Sequence, residues 1–170
     1  DVWMYGDPEI HDLKQALATH HGVTPAHIAV GPGIDGLLGL ICRLTLDPGT
    51  PVVTSLGAYP TFNFHVAGYG GDLSRVPYKA DHEDPQALLD AAKATRARLI
   101  YFANPDNPMG SAHPAAVVRA MVANLPDDTL LILDEAYADL APPGTAPEIA
   151  PVRTSLRAFS SRWRLRAISA

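Results

Sequence analysis

Cysteine, long apolar runs and an excess of basic residues are all missing from this sequence. Its 170 residues contain one cysteine, Cys42, which excludes an intramolecular disulfide framework. Glycine or arginine interrupts every apolar run before it is long enough to span a bilayer. With 18 acidic residues against 13 basic ones, the net charge of -5 gives no indication of nucleic acid as a partner. Lysine is scarce as well, and the chain holds only Lys14, Lys79 and Lys93.

What remains is the composition of an ordinary globular protein. Hydrophobic residues make up 47% of the chain and charged residues 18%, so the sequence can form an apolar core. The opening residues Asp1-Val2-Trp3 do not have the layout of a signal peptide. We therefore expect a cytoplasmic protein, or a piece of one, with no membrane partner and with Cys42 as a buried, inert thiol.

Strand-like and helix-like segments alternate along the chain. The hydrophobic patterns predict helices over 8–21, 35–46, 59–68, 85–95 and 113–124, and strands over 28–30, 51–56, 73–78, 99–103 and 129–133. Asp84 is the predicted cap of the fourth helix and Pro85 its first residue. The strands are continuous apolar runs, which is typical of parallel strands buried on both faces. We predict an α/β fold in which helices cover both faces of a doubly wound, mostly parallel sheet.

The composition changes near residue 151. The segment from Ala141 to Pro151 holds four prolines and is predicted to be a loop or linker. Residues 152–170 contain five arginines and no acidic residue, and their plainest interpretation is a solvated surface. We therefore predict one domain over 1–151, followed by an atypical arginine-rich tail over 152–170.

The first candidate site is the glycine-rich turn Gly31-Pro32-Gly33. In doubly wound sheets, ligands bind beyond the carboxyl ends of the strands. This turn follows a predicted strand and opens a helix, so the N–H groups of Gly33, Ile34 and Asp35 lie at the positive end of the helix dipole. That arrangement suits a phosphate, although a tight turn without a ligand explains the sequence equally well.

The second candidate is Asp134, which follows the most strand-like segment of the chain. A carboxylate at the end of a buried strand costs free energy unless it is paired or accepts hydrogen bonds. It could pair with the protonated ring nitrogen of a cofactor. A helix cap, or a Mg²⁺ ligand in a nucleotide-hydrolysing domain, would explain the same residue.

Two further segments carry groups that could bind a flat ring. The two Asn-Pro units of Asn104 to Pro108 make a rigid turn, on which a side-chain amide could donate to a phenolate oxygen. Tyr59 follows a predicted strand and could stack on a ring, although a place in the core is the commoner role of a single tyrosine. The seven histidines show no convincing metal-ligand spacing.

Together and in this order, the four segments resemble the large domain of fold-type I, pyridoxal-phosphate-dependent aminotransferases. The family's Asn-Pro-x-Asn-Pro-x-Gly turn matches Asn104 to Gly110, with methionine in place of the usual threonine. Its Asp-Glu-Ala-Tyr strand end matches Asp134 to Tyr137. Its phosphate turn matches Gly31 to Asp35, and its aromatic pair matches Tyr59 to Phe62. The short turn and compact spacing are most similar to the histidinol-phosphate aminotransferase branch.

The resemblance implies pyridoxal phosphate as the cofactor, and it assigns a role to each ring contact. Asp134 would pair with the pyridinium nitrogen and keep it protonated. Asn107 and Tyr137 would bond the phenolate oxygen, and Tyr59 would stack on the face of the ring.

The resemblance also implies a phosphate site and a homodimer. Backbone N–H groups of Ile34 and Asp35, in the turn that contains Gly33, would hold the phosphate. Tyr5 matches a tyrosine of the family that reaches the phosphate in the neighbouring subunit.

The family's cofactor-binding lysine has no counterpart in this sequence. Its Phe-Ser-Lys segment corresponds to Phe159-Ser160-Ser161, so Ser161 stands where the lysine is expected. Serine cannot bind the cofactor covalently or move the substrate's α-proton as an amine can. The arginine that helps to hold the phosphate has no unambiguous match, and Arg162, Arg164 and Arg166 are near candidates.

The implied activity is transfer of an amino group from an amino acid to a keto acid or a phosphorylated acceptor. A histidinol-phosphate type of substrate, in amino-acid biosynthesis, is the first interpretation. An aromatic aminotransferase or a lyase like threonine-phosphate decarboxylase fits the same motifs. Two alternatives belong to other classes: a pseudoenzyme that binds the cofactor and dimerises without turnover, and an unrelated nucleotide-binding domain.

Overall fold

The protein is described here from a computed structural model, which covers residues 5–141, 143–145 and 164–167. The chain divides into two units, residues 1–32 and residues 33–170. The domain boundary predicted between residues 151 and 152 lies outside the described residues and stays a prediction.

The described part of the first unit, residues 5–32, contains the α-helix α1 (His11–His21) and a short 3₁₀ helix, Pro25–His27, that packs against it. The sequence predicts a start at residue 8, but Ile10 has a left-handed backbone with φ of 53°, so helical geometry begins only after it. The carboxylate of Asp7 accepts the backbone N–H of His11 at 2.7 Å. The helix ends at Gly22, as predicted, where φ is 64°.

The strand predicted over residues 28–30 is wrong. The structure forms no strand there, and Ala29 is exposed while Ile28 and Val30 are only partly buried. A run of three apolar residues offers too little burial to hold a strand without a paired neighbour.

The second unit alternates helices and strands. Its elements are α2 (Gly33–Thr45), β1 (Pro51–Leu56), α3 (Pro60–Gly68), β2 (Asp72–Pro77), α4 (Pro85–Thr95), β3 (Leu99–Ala103), α5 (Ala115–Ala123), β4 (Leu130–Asp134) and β5 (Arg164–Ala167), with a 3₁₀ helix at Ala138–Leu140. Each agrees with a predicted element to within about two residues, except β5 and the 3₁₀ helix, which were not predicted.

The strands form a sheet in the order β2-β1-β3-β4-β5, and every registered pair is parallel. The predicted doubly wound α/β fold is therefore confirmed. The sequence analysis missed β5, because it interpreted the arginine-rich tail as a solvated surface. The backbone of residues 164–167 instead pairs with Leu131 to Asp134. The alternation Arg-Leu-Arg-Ala has the period of a strand, but four residues are too short a signal to separate from the surrounding arginines.

Helices cover both faces of the sheet and create two apolar clusters. On one face, α2 and α3 pack against strand residues that include Val52, Tyr101 and Ile132. On the other face, α4 and α5 pack against Val53, Phe102 and other residues of the alternate positions. Because side chains alternate across a strand, the continuous apolar runs supply both clusters at once.

Cys42 lies in the first of these clusters and is fully buried. Burial raises the pKa of its thiol to about 11, so the reactive thiolate is a minor form at neutral pH. This agrees with the predicted role as an inert core residue.

The start of α4 provides a test of the capping argument. Asp84 Oδ1 accepts the backbone N–H groups of Gln86 at 3.0 Å and Ala87 at 3.1 Å, as the sequence predicts. We expect Asp84→Ala to lower the free energy of unfolding by about 1 kcal/mol, measured by urea denaturation. Asp84→Asn is the matched control, because it keeps an acceptor oxygen and is expected to lose much less. Equal losses in the two variants would contradict a capping role.

Candidate functional site

The strand order changes direction between β1 and β3, so a ligand crevice is expected at their carboxyl ends. The chain passes from β1 to β2 on one side and then returns to β3 on the other side of β1. Such a reversal is where doubly wound sheets bind their ligands. The segments that follow β1, β3 and β4 supply the predicted ring-binding residues.

The turn after β3 is held in shape by Asn104. Its Nδ2 atom donates to the carbonyl oxygens of His113 and Thr145, both at 3.2 Å. Its Oδ1 atom accepts the backbone N–H of His113 at 2.7 Å. Both Asn-Pro peptide bonds of this turn are cis. Asn104 is therefore committed to the turn itself, and Asn107 is the other asparagine that the turn presents.

Asn107 and Tyr137 meet at the edge of the sheet. Asn107 Nδ2 donates to the Tyr137 hydroxyl at 3.4 Å, so the structure brings together two residues predicted for the same oxygen. Both line an open cleft of about 350 Å³. Tyr137 is 44% exposed, so a ligand in the cleft can reach it. The remaining lining residues are Pro105, Asp106, Pro108, Gly110, Ala112, Leu140 and Ala141.

Asp134 is the last residue of β4 and is only 6% exposed. Its Oδ2 atom accepts the hydroxyl of Tyr101 at 2.7 Å, and its Oδ1 atom accepts the backbone N–H of Ala136 at 3.0 Å. Burial, with the nearby Asp134 charge, raises the pKa of Tyr101, so this tyrosine remains a proton donor. The two hydrogen bonds offset the free-energy cost of burying the Asp134 carboxylate.

The two aromatic residues of the segment after β1 have different environments. Phe62 is fully buried and stacks on Tyr101, with ring centroids 4.8 Å apart. Tyr59 is only partly buried and precedes Pro60, the first residue of α3. Phe62 therefore belongs to the core, and Tyr59 is the aromatic residue placed near the crevice end of β1.

The predicted phosphate turn is the start of α2. Gly33 has a φ of 72°, a left-handed conformation that glycine adopts without strain. The N–H groups of Gly33, Ile34 and Asp35 belong to the first helical turn, where helices leave N–H groups without internal partners. The Asp35 carboxylate lies 2.8 Å from His65 Nε2 on α3. This contact joins the start of α2 to the helix that Tyr59 precedes.

A buried carboxyl group that sequence reasoning missed contacts both β1 and β3. Glu83 is 1% exposed, and burial raises its pKa to about 7. Its carboxylate accepts the Ser55 hydroxyl and, at 2.9 Å, the backbone N–H of Ala103. His113 Nε2 donates to its backbone carbonyl oxygen at 2.8 Å. In the sequence, Glu83 sits in a polar segment typical of an exposed loop, so no pattern marks it as buried.

Sequence reasoning also missed a hydrogen-bonded pair, Tyr78 and Asp106. The Tyr78 hydroxyl donates to Asp106 Oδ2 at 2.8 Å and ties the end of β2 to the turn after β3. Burial raises the pKa of the Asp106 carboxyl, against the opposing effect of this hydrogen bond. Asp106 occupies the variable position of the asparagine turn, which is why the motif gave it no role.

Of the other residues named from the sequence, some lie outside the described ranges and others are exposed. Ser161 and Arg162 lie outside the described residues, and of residues 164–167 only the backbone is described. Tyr5 belongs to the first unit, where it is fully exposed. Lys79 and Lys93 are exposed, and Lys93 lies on α4.

Residues 5–141, 143–145 and 164–167 contain neither a candidate membrane span nor a candidate metal-binding cluster. No helix in these ranges has the length and apolar character needed to cross a membrane. No group of three histidine, cysteine, aspartate or glutamate side chains there is arranged to hold a metal ion.

Comparison with known proteins decides the family. The family model for aminotransferase class I and II matches residues 2–161. The chain belongs to this family. The family predicted from the asparagine turn and the acidic strand end is thereby confirmed.

Among relatives of this aminotransferase chain are two named as histidinol-phosphate aminotransferases. The protein from Rhodospirillum rubrum is 35% identical over 135 residues, which are 79% of this chain and 36% of the relative. Histidinol-phosphate aminotransferase 2 from Nitrosospira multiformis is 36% identical over 143 residues, 84% of this chain and 36% of the relative. The chain thus spans a little over a third of the length of these relatives.

The fold of this chain is similar to that of a solved aminotransferase structure. That structure is the histidinol-phosphate aminotransferase from Sinorhizobium meliloti in complex with pyridoxal-5'-phosphate, which is 60% identical. It superimposes with a TM-score of 0.84, over 86% of this chain and 40% of that protein.

Proposed function

We propose that this chain is the cofactor-binding part of a pyridoxal-phosphate-dependent aminotransferase of the histidinol-phosphate type. The observation that carries the proposal is the meeting of Asn107 and Tyr137 at the sheet edge where the buried carboxylate of Asp134 ends β4. These groups come from two segments, the turn after β3 and the end of β4. Because β3 and β4 are parallel neighbours, both segments lie at the carboxyl edge of the sheet, where this fold binds ligands. The names of the relatives support the choice of substrate type.

The chemistry of these groups fits pyridoxal phosphate. Asp134 would pair with the ring nitrogen, because a hydrogen-bonded, buried carboxylate is a strong partner for a cationic N–H. The amide of Asn107 and the hydroxyl of Tyr137 would bond the phenolate oxygen. Tyr59 would stack on the ring. When bound, the cofactor supplies an electron sink for bonds at the substrate's α-carbon.

The phosphate is assigned to the start of α2. The backbone N–H groups of Gly33, Ile34 and Asp35 would hold it, with support from the helix dipole. We further propose a homodimer in which Tyr5 reaches the phosphate bound by the partner subunit. The full exposure of Tyr5 in the first unit is compatible with that role.

The remaining residues of the site hold the ligand-binding groups in place. Tyr101 donates to Asp134 and restrains its carboxylate, while Asn104 closes the turn that presents Asn107. Substrates of the whole protein would be an amino acid and a keto acid or phosphorylated acceptor. Amino-group transfer also needs a base that moves a proton at the substrate's α-carbon, and no residue among those described is assigned to it.

One observation favours a second candidate function. Ser161 occupies the position where the family has its cofactor-binding lysine. A chain that keeps the ring-binding and phosphate-binding groups without this amine would bind the cofactor and not turn over. The second candidate is therefore a pseudoenzyme of the same family.

The experiment that tests the proposal is an absorbance titration of the purified chain with pyridoxal phosphate. We expect saturable binding, and we expect Asp134→Asn to raise the Kd roughly 10- to 150-fold, since a hydrogen bond to a charged group contributes about 1.5–3 kcal/mol. Tyr101→Phe is the matched control, because it removes the donor to Asp134 and keeps the carboxylate charge. We expect a much smaller change in that variant.

Two outcomes would contradict the proposal. One is that the parent chain binds no pyridoxal phosphate under conditions in which circular dichroism shows it folded. Alternatively, Asp134→Asn and the parent chain would have the same Kd, which would remove Asp134 from the ring site.

A further inference from the structure

The ladder between β1 and β3 is much shorter than its neighbours. β1 pairs with β2 along six registered positions, whereas it pairs with β3 only at Val52 with Leu99 and at Val53 with Ile100. Beyond these positions no backbone pairing between the two strands is registered. The backbone groups of the last residues of β3 therefore have no registered partners on β1.

Side chains replace the missing backbone hydrogen bonds. Thr54 Oγ1 donates to the carbonyl oxygen of Tyr101 at 3.5 Å. Further along, the carboxylate of Glu83 joins the two strands, since one oxygen accepts the Ser55 hydroxyl of β1 and the other accepts the Ala103 N–H of β3. Both contacts are buried, so removing Glu83 would leave one buried donor unsatisfied on each of the two strands.

We propose that Glu83 is a positioning residue of the cofactor site, which sets the spacing between the end of β1 and the end of β3. The β1 end leads into Tyr59, and the β3 end leads through Asn104 into Asn107. These residues belong to two strands that the backbone ladder does not connect at this level. The inference rests on the proposed function, because Tyr59 and Asn107 are ring-binding residues only within it.

Other contacts of Glu83 favour the same role. His113 donates to its backbone carbonyl oxygen, and the backbone N–H of His113 donates to Asn104. The turn after β3 is therefore attached to Glu83 at both of its ends, at Ala103 directly and at His113. The neighbouring titratable groups are the carboxyls of Asp106 and Asp134 and the imidazole of His113.

The test compares Glu83→Ala with Glu83→Gln in the full chain. Glutamine keeps one acceptor for the Ala103 N–H and places an N–H₂ group against the Ser55 hydroxyl, so we expect it to preserve the spacing. Alanine removes both contacts. We expect Glu83→Ala to raise the Kd of pyridoxal phosphate about tenfold or more, because small misplacements of site residues cost large factors. The inhibition constant of inorganic phosphate as competitor is expected to stay unchanged, since α2 supplies the phosphate site.

Each alternative result has a defined meaning. Equal Kd values in the parent chain and Glu83→Ala would overturn the inference. So would a parallel loss of pyridoxal phosphate and inorganic phosphate affinity in both variants, because that pattern indicates general unfolding. If Glu83→Ala does not fold, Ser55→Ala, which removes one contact, replaces it, and an unchanged Kd in that variant overturns the inference.

A second measurement separates this inference from the proposed function. If the parent chain binds no pyridoxal phosphate, the proposed function fails, and hydrogen exchange then decides whether Glu83 positions the β3 end. We expect faster exchange of the Ala103 amide in Glu83→Ala and not in Glu83→Gln, with Val52 and Val53 unchanged in both. Unchanged exchange at Ala103 would overturn the inference in that case too.

Discussion

Ser161→Lys is expected to give this chain a covalent adduct with pyridoxal phosphate that borohydride reduces and that the parent chain lacks. The family resemblance places the cofactor-binding lysine at this position, and an amine is the group that forms a bond with the cofactor's aldehyde. Mass spectrometry of the reduced protein would show one added pyridoxyl phosphate. Peptide mapping would place it at residue 161.

Ser160→Lys is the matched control for this prediction. It introduces the same amine one residue earlier, where the resemblance does not expect it. Comparable labelling of the two variants would contradict the assignment of position 161. Labelling of the parent chain at Lys14, Lys79 or Lys93 would show instead that one of the native lysines has taken over the role.

The free energy of unfolding is expected to rise by on the order of 3 kcal/mol as the pH falls from about 8 to about 5, through Glu83 alone. Burial is the main cause that raises the pKa of this carboxyl from 4.5 to about 7. The hydrogen bonds from Ser55 and Ala103 lower it, and the carboxyls of Asp106 and Asp134 raise it by smaller amounts.

The direction follows from which state binds the proton. Between these two pKa values the folded chain holds a proton on Glu83 that the unfolded chain has lost. The stabilisation is therefore complete below the unfolded value and is lost as the pH rises through the folded value. This is the opposite of an ion-paired carboxylate, whose contribution is lost in acid.

Glu83→Gln isolates this contribution because glutamine does not titrate and resembles the protonated acid in shape. Urea denaturation of both chains at several pH values would give the difference between their stabilities. We expect the parent chain to be the less stable of the two at about pH 8 and the difference to shrink towards about pH 5. A difference that does not change with pH would contradict a raised pKa at Glu83.

Much of the fold follows directly from the sequence, because the pattern of a parallel sheet covered on both faces is strong. β1 and β3 have the bounds that their apolar runs predict, and α4 begins and ends where Asp84-Pro85 and Thr95 indicate. The motifs also predict the meeting of Asn107 with Tyr137, since a known family relates them. The roles of the individual site residues stay predictions.

What the sequence does not reveal depends on contacts between distant segments. Glu83 lies in a polar stretch, and only the ends of β1 and β3, which have no registered pairing, give its carboxyl partners in the interior. In the sequence, Tyr101 is indistinguishable from an ordinary core aromatic residue. Only the pairing of β3 with β4 places its hydroxyl beside Asp134. Residues 28–30 were predicted as a strand and form none, since an apolar run becomes a strand only where a neighbouring strand can hydrogen-bond to it.

The single, fully buried cysteine gives the protein an internal reporter of its own motions. Cys42 sits on α2, the helix whose first turn is assigned to the phosphate, and thiol reagents reach it only when that helix opens from the sheet. Its labelling rate therefore measures an opening equilibrium without any introduced probe. A ligand held at the start of α2 would slow that labelling in proportion to how much it stabilises the closed helix.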